Sequence, residues 1–212
     1  MNNQIFLYIT GPDGSGKTSY ISELENKLQV QNKNYKHIWI RSPKILSKPL
    51  MLFCRITGLT KYKIIDGVKF GKHEFYRSRF VSWLYPLLQY ADFWIKWKLE
   101  KRKLKQTNFV LFDRFALDTL ADIMIDTNKL DLYTKHIGKA FIRLIPENTS
   151  IIVLNVNENT IRLRKKDTLH DDHLANKIEA YKIISNSLNL KVVDNNRAFE
   201  NVKKEIFESL EF

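Results

Sequence analysis

One run of eight residues constrains this chain more than any other. Gly11-Pro12-Asp13-Gly14-Ser15-Gly16-Lys17-Thr18 matches G-x-x-x-x-G-K-[ST] at every fixed position and directly follows the β-forming run Ile5 to Thr10. The glycines let backbone N–H groups turn inward around an anion, and the helix expected after them points its positive end at the same spot. Gly11, Asp13, Gly14, Ser15, Gly16, Lys17, Thr18 and Ser19 are therefore expected to line a nucleotide phosphate site. Lys17 would reach the terminal phosphates and the Thr18 hydroxyl would ligate Mg²⁺. The plainer alternative is a glycine-rich turn that only caps a helix; the strand before it and the helix after it weigh against that.

Further short apolar runs recur between longer helical patterns: His37 to Arg41, Phe109 to Asp113, Ile151 to Val156 and Leu190 to Asp194. Five such strands alternating with helices predict an α/β fold, a parallel five-stranded sheet with helices on both faces, in three layers. Four of the five runs lead into polar or charged clusters, which would fall at the carboxyl ends of the strands, where open α/β sheets bind ligands. The 212 residues, 44% of them hydrophobic, suit one domain over 1–212.

The formal net charge of +12 calls for anionic partners: nucleotides, phosphorylated metabolites, nucleic acid or an anionic membrane surface. Cys54 is the only cysteine, so no intrachain disulfide forms and a reducing, cytoplasmic setting fits. Ile5 to Ile9 has no basic leader or cleavage signal and reads as a strand. Phe80 to Ile95 is too short and too interrupted to span a bilayer, which leaves only peripheral contact with the inner membrane surface. Much of the charge is local. From Lys44 to Phe80 nine basic residues, Lys63 and Lys69 among them, face two acidic ones, Asp66 and Glu74.

Asp113-Arg114 closes the run Phe109 to Phe112, and an acid at a strand tip beside such a turn is suited to hold Mg²⁺ directly or through water. Arg114 adds a bidentate cation for phosphates. Taken together, Gly11 to Thr18, Arg41-Ser42-Pro43, Asp113-Arg114-Phe115 and the basic cluster Arg162, Arg164, Lys165 and Lys166 resemble the thymidylate kinase family of P-loop nucleoside monophosphate kinases. The resemblance implies a P-loop NTPase fold of the nucleoside monophosphate kinase type and ATP with Mg²⁺ as cofactors. It also implies a lid over about 162–176 and transfer of the ATP γ-phosphoryl to a dTMP-like acceptor. Lys17, Asp113, Arg114 and Arg164 would be catalytic, and Thr18 and Asp113 would hold the metal. Some family members carry a basic residue in the P-loop where this chain has Gly14; here the lid would supply that charge, from Arg164 or alternatively Arg162 or Lys165.

The acceptor side departs from the family. Asp13, Arg41, Phe93, Arg114 and Asp118 are the expected acceptor-binding positions, yet Phe93 stands where the family has an arginine and Gln89 where it has a stacking aromatic. Ala121-Asp122-Ile123 replaces a further base-reading triplet. Between Arg41 and Phe93 lie 51 residues, an enlarged basic segment over 44–80. These departures point to a larger or non-nucleotide acceptor, such as a sugar or lipid-linked glycan intermediate of surface polysaccharide assembly. Were a hydroxyl the acceptor, Asp13 or Asp118 would be the first candidates for general base. Asp118 and Asp122 read equally well as helix-surface carboxylates.

Other motifs carry less. Asn128-Lys129-Leu130-Asp131 matches N-K-x-D of GTPases without the strand context that motif needs. His170-Asp171-Asp172-His173 has metal-compatible types but too few ligands. Phe80, Trp83, Tyr90, Phe93, Trp94 and Trp97 follow near-helical spacing, which predicts a core face of a helix over Val81 to Lys105. A nucleotide switch that binds nucleic acid or membrane through the basic stretch is the third reading, and a homodimer is compatible with all three.

Overall fold

The computed structural model describes residues 4–65, 68–165, 168, 169 and 171–210. Asp66, Lys166 and His170, and the side chains of Lys63 and Lys69, lie outside what is described.

Alternation along the strands decides the layers. In β1 (Ile5–Thr10), Leu7 and Ile9 project to one side and Tyr8 to the other, all three fully buried. Leu7 and Ile9 join α1 (Lys17–Val30) and α8 (Phe199–Ser209) through Ile21, Leu24, Val202 and Ile206. Tyr8 joins α3 (Arg79–Lys101), α4 (Ala116–Asp126), α5 (His136–Ile142) and α7 (Leu174–Ser187) in a larger core with Phe93, Leu120, Phe141 and Ile184. A sheet buried on both faces needs continuous apolar strands, and β5 (Phe109–Asp113) and β6 (Thr149–Asn155) supply them.

With β2 (Tyr35–Ile38) and β7 (Lys191–Asp194) the sheet runs β2-β5-β1-β6-β7, every pair parallel. The second strand was expected over His37 to Arg41 but starts earlier and stops at Ile38. The β5 ladder ends there, and Ile40 N–H instead reaches the carbonyl of Arg114 at 3.0 Å. The carboxyl ends of β1 and β5 therefore deliver Gly11 and Arg114 to the same edge.

The enlarged basic stretch has its own architecture. It forms α2 (Lys48–Ile56) and an antiparallel hairpin of β3 (Thr60–Ile65) and β4 (Val68–His73), apart from the main sheet. Register sets Lys61 opposite Lys72, a like-charge pair that would repel. Glu74 relieves it by pairing with Lys61 at 3.1 Å, Lys72 at 3.6 Å and Arg77 at 3.1 Å.

Helix α3 starts at an N-cap, Ser78, whose hydroxyl accepts from Val81 N–H at 3.3 Å. A 3₁₀ turn over Arg102–Leu104 follows it, in place of the helix end expected at Lys105. The expected aromatic core face is split. Phe93 and Trp97 are buried, but Phe80 is 60% exposed, Trp83 61% and Trp94 43%, because positions 80, 83, 87 and 94 share the stripe opposite 85, 89, 93 and 97. Asn128 and Lys129 form the turn that ends α4, where Lys129 Nζ donates to the carbonyl of Ser82 at 3.0 Å; no strand precedes them.

Candidate functional site

The turn joining β1 to α1 needs its glycines. Gly11, Gly14 and Gly16 have φ of 145°, 81° and 87°, in the region other residues avoid. A Cβ on Gly11 would come within 2.8 Å of the Leu154 carbonyl oxygen. A Cβ on Gly14 would meet Ile161 Cγ2 at 2.9 Å and Lys165 Cβ at 3.3 Å, so α6 (Glu158–Arg164) lies against this position. Asn195, just past β7, donates to the Ser15 carbonyl at 2.7 Å and accepts from the Tyr20 hydroxyl at 2.6 Å, which fixes the turn from its far side. Lys17 is buried and donates to the Gly11 and Pro12 carbonyls at 2.6 and 2.7 Å. Burial, and then the neighbouring Arg114 charge, push its pKa down to about 7.

At the first turn of α1 the Thr18 hydroxyl donates to Asp113 Oδ2 at 2.9 Å. Asp113 Oδ1 is buried and has no hydrogen-bond partner among the described residues. An orphaned carboxylate oxygen beside a threonine hydroxyl is a hard, oxygen-only donor set, and it fits a Mg²⁺ ion that keeps most of its waters. His37 stands behind this pair, Nε2 3.9 Å from Asp113 Oδ2 and Nδ1 3.1 Å from Glu25 Oε1.

Beside the turn, two arginines and three carboxylates interlock. Arg41 donates to both oxygens of Asp13 at 3.1 and 3.0 Å, and from Nε and Nη2 to Asp122 at 2.8 and 2.9 Å. Arg114 pairs with Asp13 and stands 3.6 Å from Asp118. Although burial opposes it, the two guanidiniums hold the Asp13 carboxyl far below the usual range, Arg41 contributing more than Arg114. Arg114 adopts φ 73°, an uncommon conformation for a residue with a Cβ.

Asp118 belongs to the interior. It is fully buried and accepts from Tyr8 hydroxyl at 2.5 Å, Phe115 N–H at 2.9 Å and Tyr181 hydroxyl at 2.8 Å. It therefore caps α4 and orients Arg114, and the expectation that it meets an acceptor or acts as base is corrected: no face of its carboxylate is open. Phe93 is corrected likewise. Its ring is fully enclosed, with Phe115 at 5.0 Å and Phe141 at 5.9 Å. Gln89 is also buried and donates to the Pro43 carbonyl and Ser47 hydroxyl at 3.2 and 3.0 Å. Asp92, next to it in the fold, accepts from the N–H groups of Ile45, Leu46 and Ser47 and from the Ser47 hydroxyl. Both residues thus anchor the entry to α2.

The open space lies elsewhere. A cleft of about 320 Å³ is walled by Arg41, Lys44, Asp122 and Asp126, with His73 of the hairpin and His173 and Lys177 of the α7 region across from them. Burial and the Asp122 carboxylate raise the Asp126 pKa well above the usual range. The buried His173 Nε2 has no partner among the described residues. Lys72 approaches Asp172 at 3.9 Å, so the hairpin and the turn before α7 meet beside the cleft. Sequence reasoning missed Asp126, His173 and Lys177 as cleft residues, because nothing local marks a helix position that only another element's approach turns into a wall.

Of the expected lid cations, Arg162 is committed internally, bonded to Glu158 at 2.9 and 2.6 Å and to the carbonyls of Thr168 and Leu169 at 2.6 Å each. Arg164 is exposed, and Lys165 approaches Gly14. No protein-family model matches this chain, and no curated protein matches its sequence.

Proposed function

We propose that this chain is a Mg²⁺-dependent P-loop phosphotransferase of the nucleoside monophosphate kinase type, folded as one domain, that moves the ATP γ-phosphoryl to an anionic acceptor in the Arg41 cleft. The observation that carries the reading is the Thr18–Asp113 pair with its unpartnered Asp113 Oδ1, at the foot of a turn that three positive-φ glycines shape. The order of the parallel sheet, with Gly11 and Arg114 brought to one edge, supports it.

In this reading the Lys17 ammonium exchanges the Gly11 and Pro12 carbonyls for phosphate oxygens, while the backbone of Asp13 to Thr18 surrounds the β-phosphate. Mg²⁺, when bound, neutralises phosphate charge. Asp13, Asp118 and Asp122 hold the two guanidiniums beside the cleft, where Arg41 and Arg114 receive the acceptor's anionic group. Arg164 and Lys165 approach over Gly14 and stabilise charge on the moving phosphoryl. Catalysis is then positioning and charge neutralisation.

The closed environment of Phe93, Gln89 and Asp118 favours a non-nucleotide acceptor over a dTMP-like one. The cleft wall offers carboxylates, imidazoles and ammoniums, which suit a phosphate with several hydroxyls, such as a sugar phosphate or a lipid-linked glycan intermediate. The test is Mg²⁺-dependent ATP turnover against two panels, nucleoside monophosphates and phosphorylated sugars. Stimulation by the second panel alone is expected; turnover of dTMP at ordinary kinase rates would overturn the acceptor reading. Failure to bind ATP with Mg²⁺ would overturn the donor reading as well.

A further inference from the structure

Surface helices normally turn a polar face outward, and two helices here do not. Helix α2 buries Leu50, Met51 and Cys54, yet its opposite face is Leu52, Phe53 and Ile56, the last 76% exposed. On α3 the residues Phe80, Trp83, Leu87 and Trp94 form one exposed stripe at successive three- and four-residue steps or their sum. The two helices are tied together where Asp92 of α3 accepts from the N–H groups of Ile45 and Leu46, both exposed, just ahead of α2.

Cations border this apolar surface. From Lys44 to Lys98 there are eleven Lys and Arg against three acids. Of these acids, Asp92 is buried and Glu74 is already shared by three cations; Asp66 lies outside the described residues. Lys48 and Arg55 flank the α2 face, and Lys98 lies over the Trp94 ring at 4.6 Å. A second copy of the chain would bring the same positive charge to such a contact, and repulsion opposes it. An anionic bilayer surface complements both features at once, since tryptophan and phenylalanine settle at the headgroup boundary while lysine and arginine meet lipid phosphates.

We infer that α2 and the exposed stripe of α3 form a docking face for an anionic membrane surface. No helix among the described residues is long and apolar enough to cross a bilayer, so these helices would lie along the surface. The inference does not depend on the phosphotransferase reading. It bears on it, because Lys44, which lines the cleft, immediately precedes Ile45 of the docking face.

The experiment is sedimentation of the full chain with vesicles of phosphatidylcholine alone and with 30% phosphatidylserine added, roughly a composition at which surface charge is appreciable. Binding to the anionic vesicles is expected, with weakening as salt rises and a blue shift of tryptophan emission. Trp83→Ser with Trp94→Ser should abolish the shift and most of the binding. Lys48→Ala with Arg55→Ala should lower the partition coefficient roughly 30-fold. Val30→Glu, an exposed apolar position on α1, should leave binding unchanged. Circular dichroism and thermal melting establish that each variant is folded, and a replacement that prevents folding is exchanged for Trp83→Tyr with Trp94→Tyr. Absence of binding to anionic vesicles at low salt would overturn the inference. So would sedimentation velocity showing a dimer that the tryptophan variants dissociate, which would assign the face to a second copy.

Discussion

The turn from Gly11 to Thr18 and the stretch from Lys44 to Phe80 both border the proposed site, but they are built by different means. The turn is held by its own residues: positive-φ glycines, Lys17 folded onto two loop carbonyls, and a helix starting at once. The longer stretch is held by distant residues. Asp92 and Gln89 of α3 grip its start, Glu74 quiets the hairpin's lysines, and Lys72 reaches Asp172. Chemistry carried by local backbone geometry tolerates little change in sequence; a wall assembled from separate elements can be rebuilt around another ligand.

The largest expected effect probes the interior of the acceptor side. Phe93→Ala should cost about 3–5 kcal/mol in urea unfolding, as for an aromatic ring removed from a packed core. If stability were unchanged and only acceptor KM moved, Phe93 would belong to the site after all. On the turn, Lys17→Ala should lower ATP turnover by about 10²–10³-fold with folding intact. A milder loss would place less of the chemistry in the turn and more in the cleft. Gly14→Arg, which puts a cation into the turn, should cost about 1–3 kcal/mol of stability, since φ is 81° there and Ile161 lies in the way. An unharmed variant would show that α6 is free to retreat.

The smallest effect is a pH dependence of the hairpin. Burial, and then the Lys44 charge, push the His73 pKa down to about 4 from an ordinary value near 6.5. The folded state thus keeps this ring neutral while the unfolded chain takes up a proton below about 6.5. Stability should fall as pH drops from about 6.5 to about 4 and level off below that, by about 1–3 kcal/mol, allowing for the partly open site. Denaturation midpoints across that range should be flatter in His73→Asn. An equal slope in both proteins would mean that the hairpin opens freely to water.

The strands could be read in sequence because each is a short apolar run, four of them closed by a polar cluster, and four of the five were expected within two residues of their observed ends. The second was set too late, since hydrophobicity cannot reveal where a neighbouring strand stops. The hairpin and α2 are not legible in the sequence; Thr60 to His73 is a basic, mixed stretch whose facing lysines are offset by Glu74 and whose Lys72 reaches Asp172, both contacts from outside the strands. The aromatic spacing of α3 was read correctly as helical but assigned to a single face, because periodicity gives the angle between residues and not which side meets the core.

By itself, the sequence determined the glycine-rich turn with Lys17 and Thr18, the alternation that makes a parallel sheet covered on both faces, and Asp113-Arg114 at the end of a strand. Neighbouring residues impose each of these through backbone sterics or side-chain period. Only the tertiary structure decided that Asp118 and Phe93 turn inward, that Arg41 is shared between Asp13 and Asp122, and that the open cleft forms between the hairpin and α7. Those outcomes rest on contacts between residues far apart in the chain, where burial and charge pairing choose among faces that local propensity leaves equal.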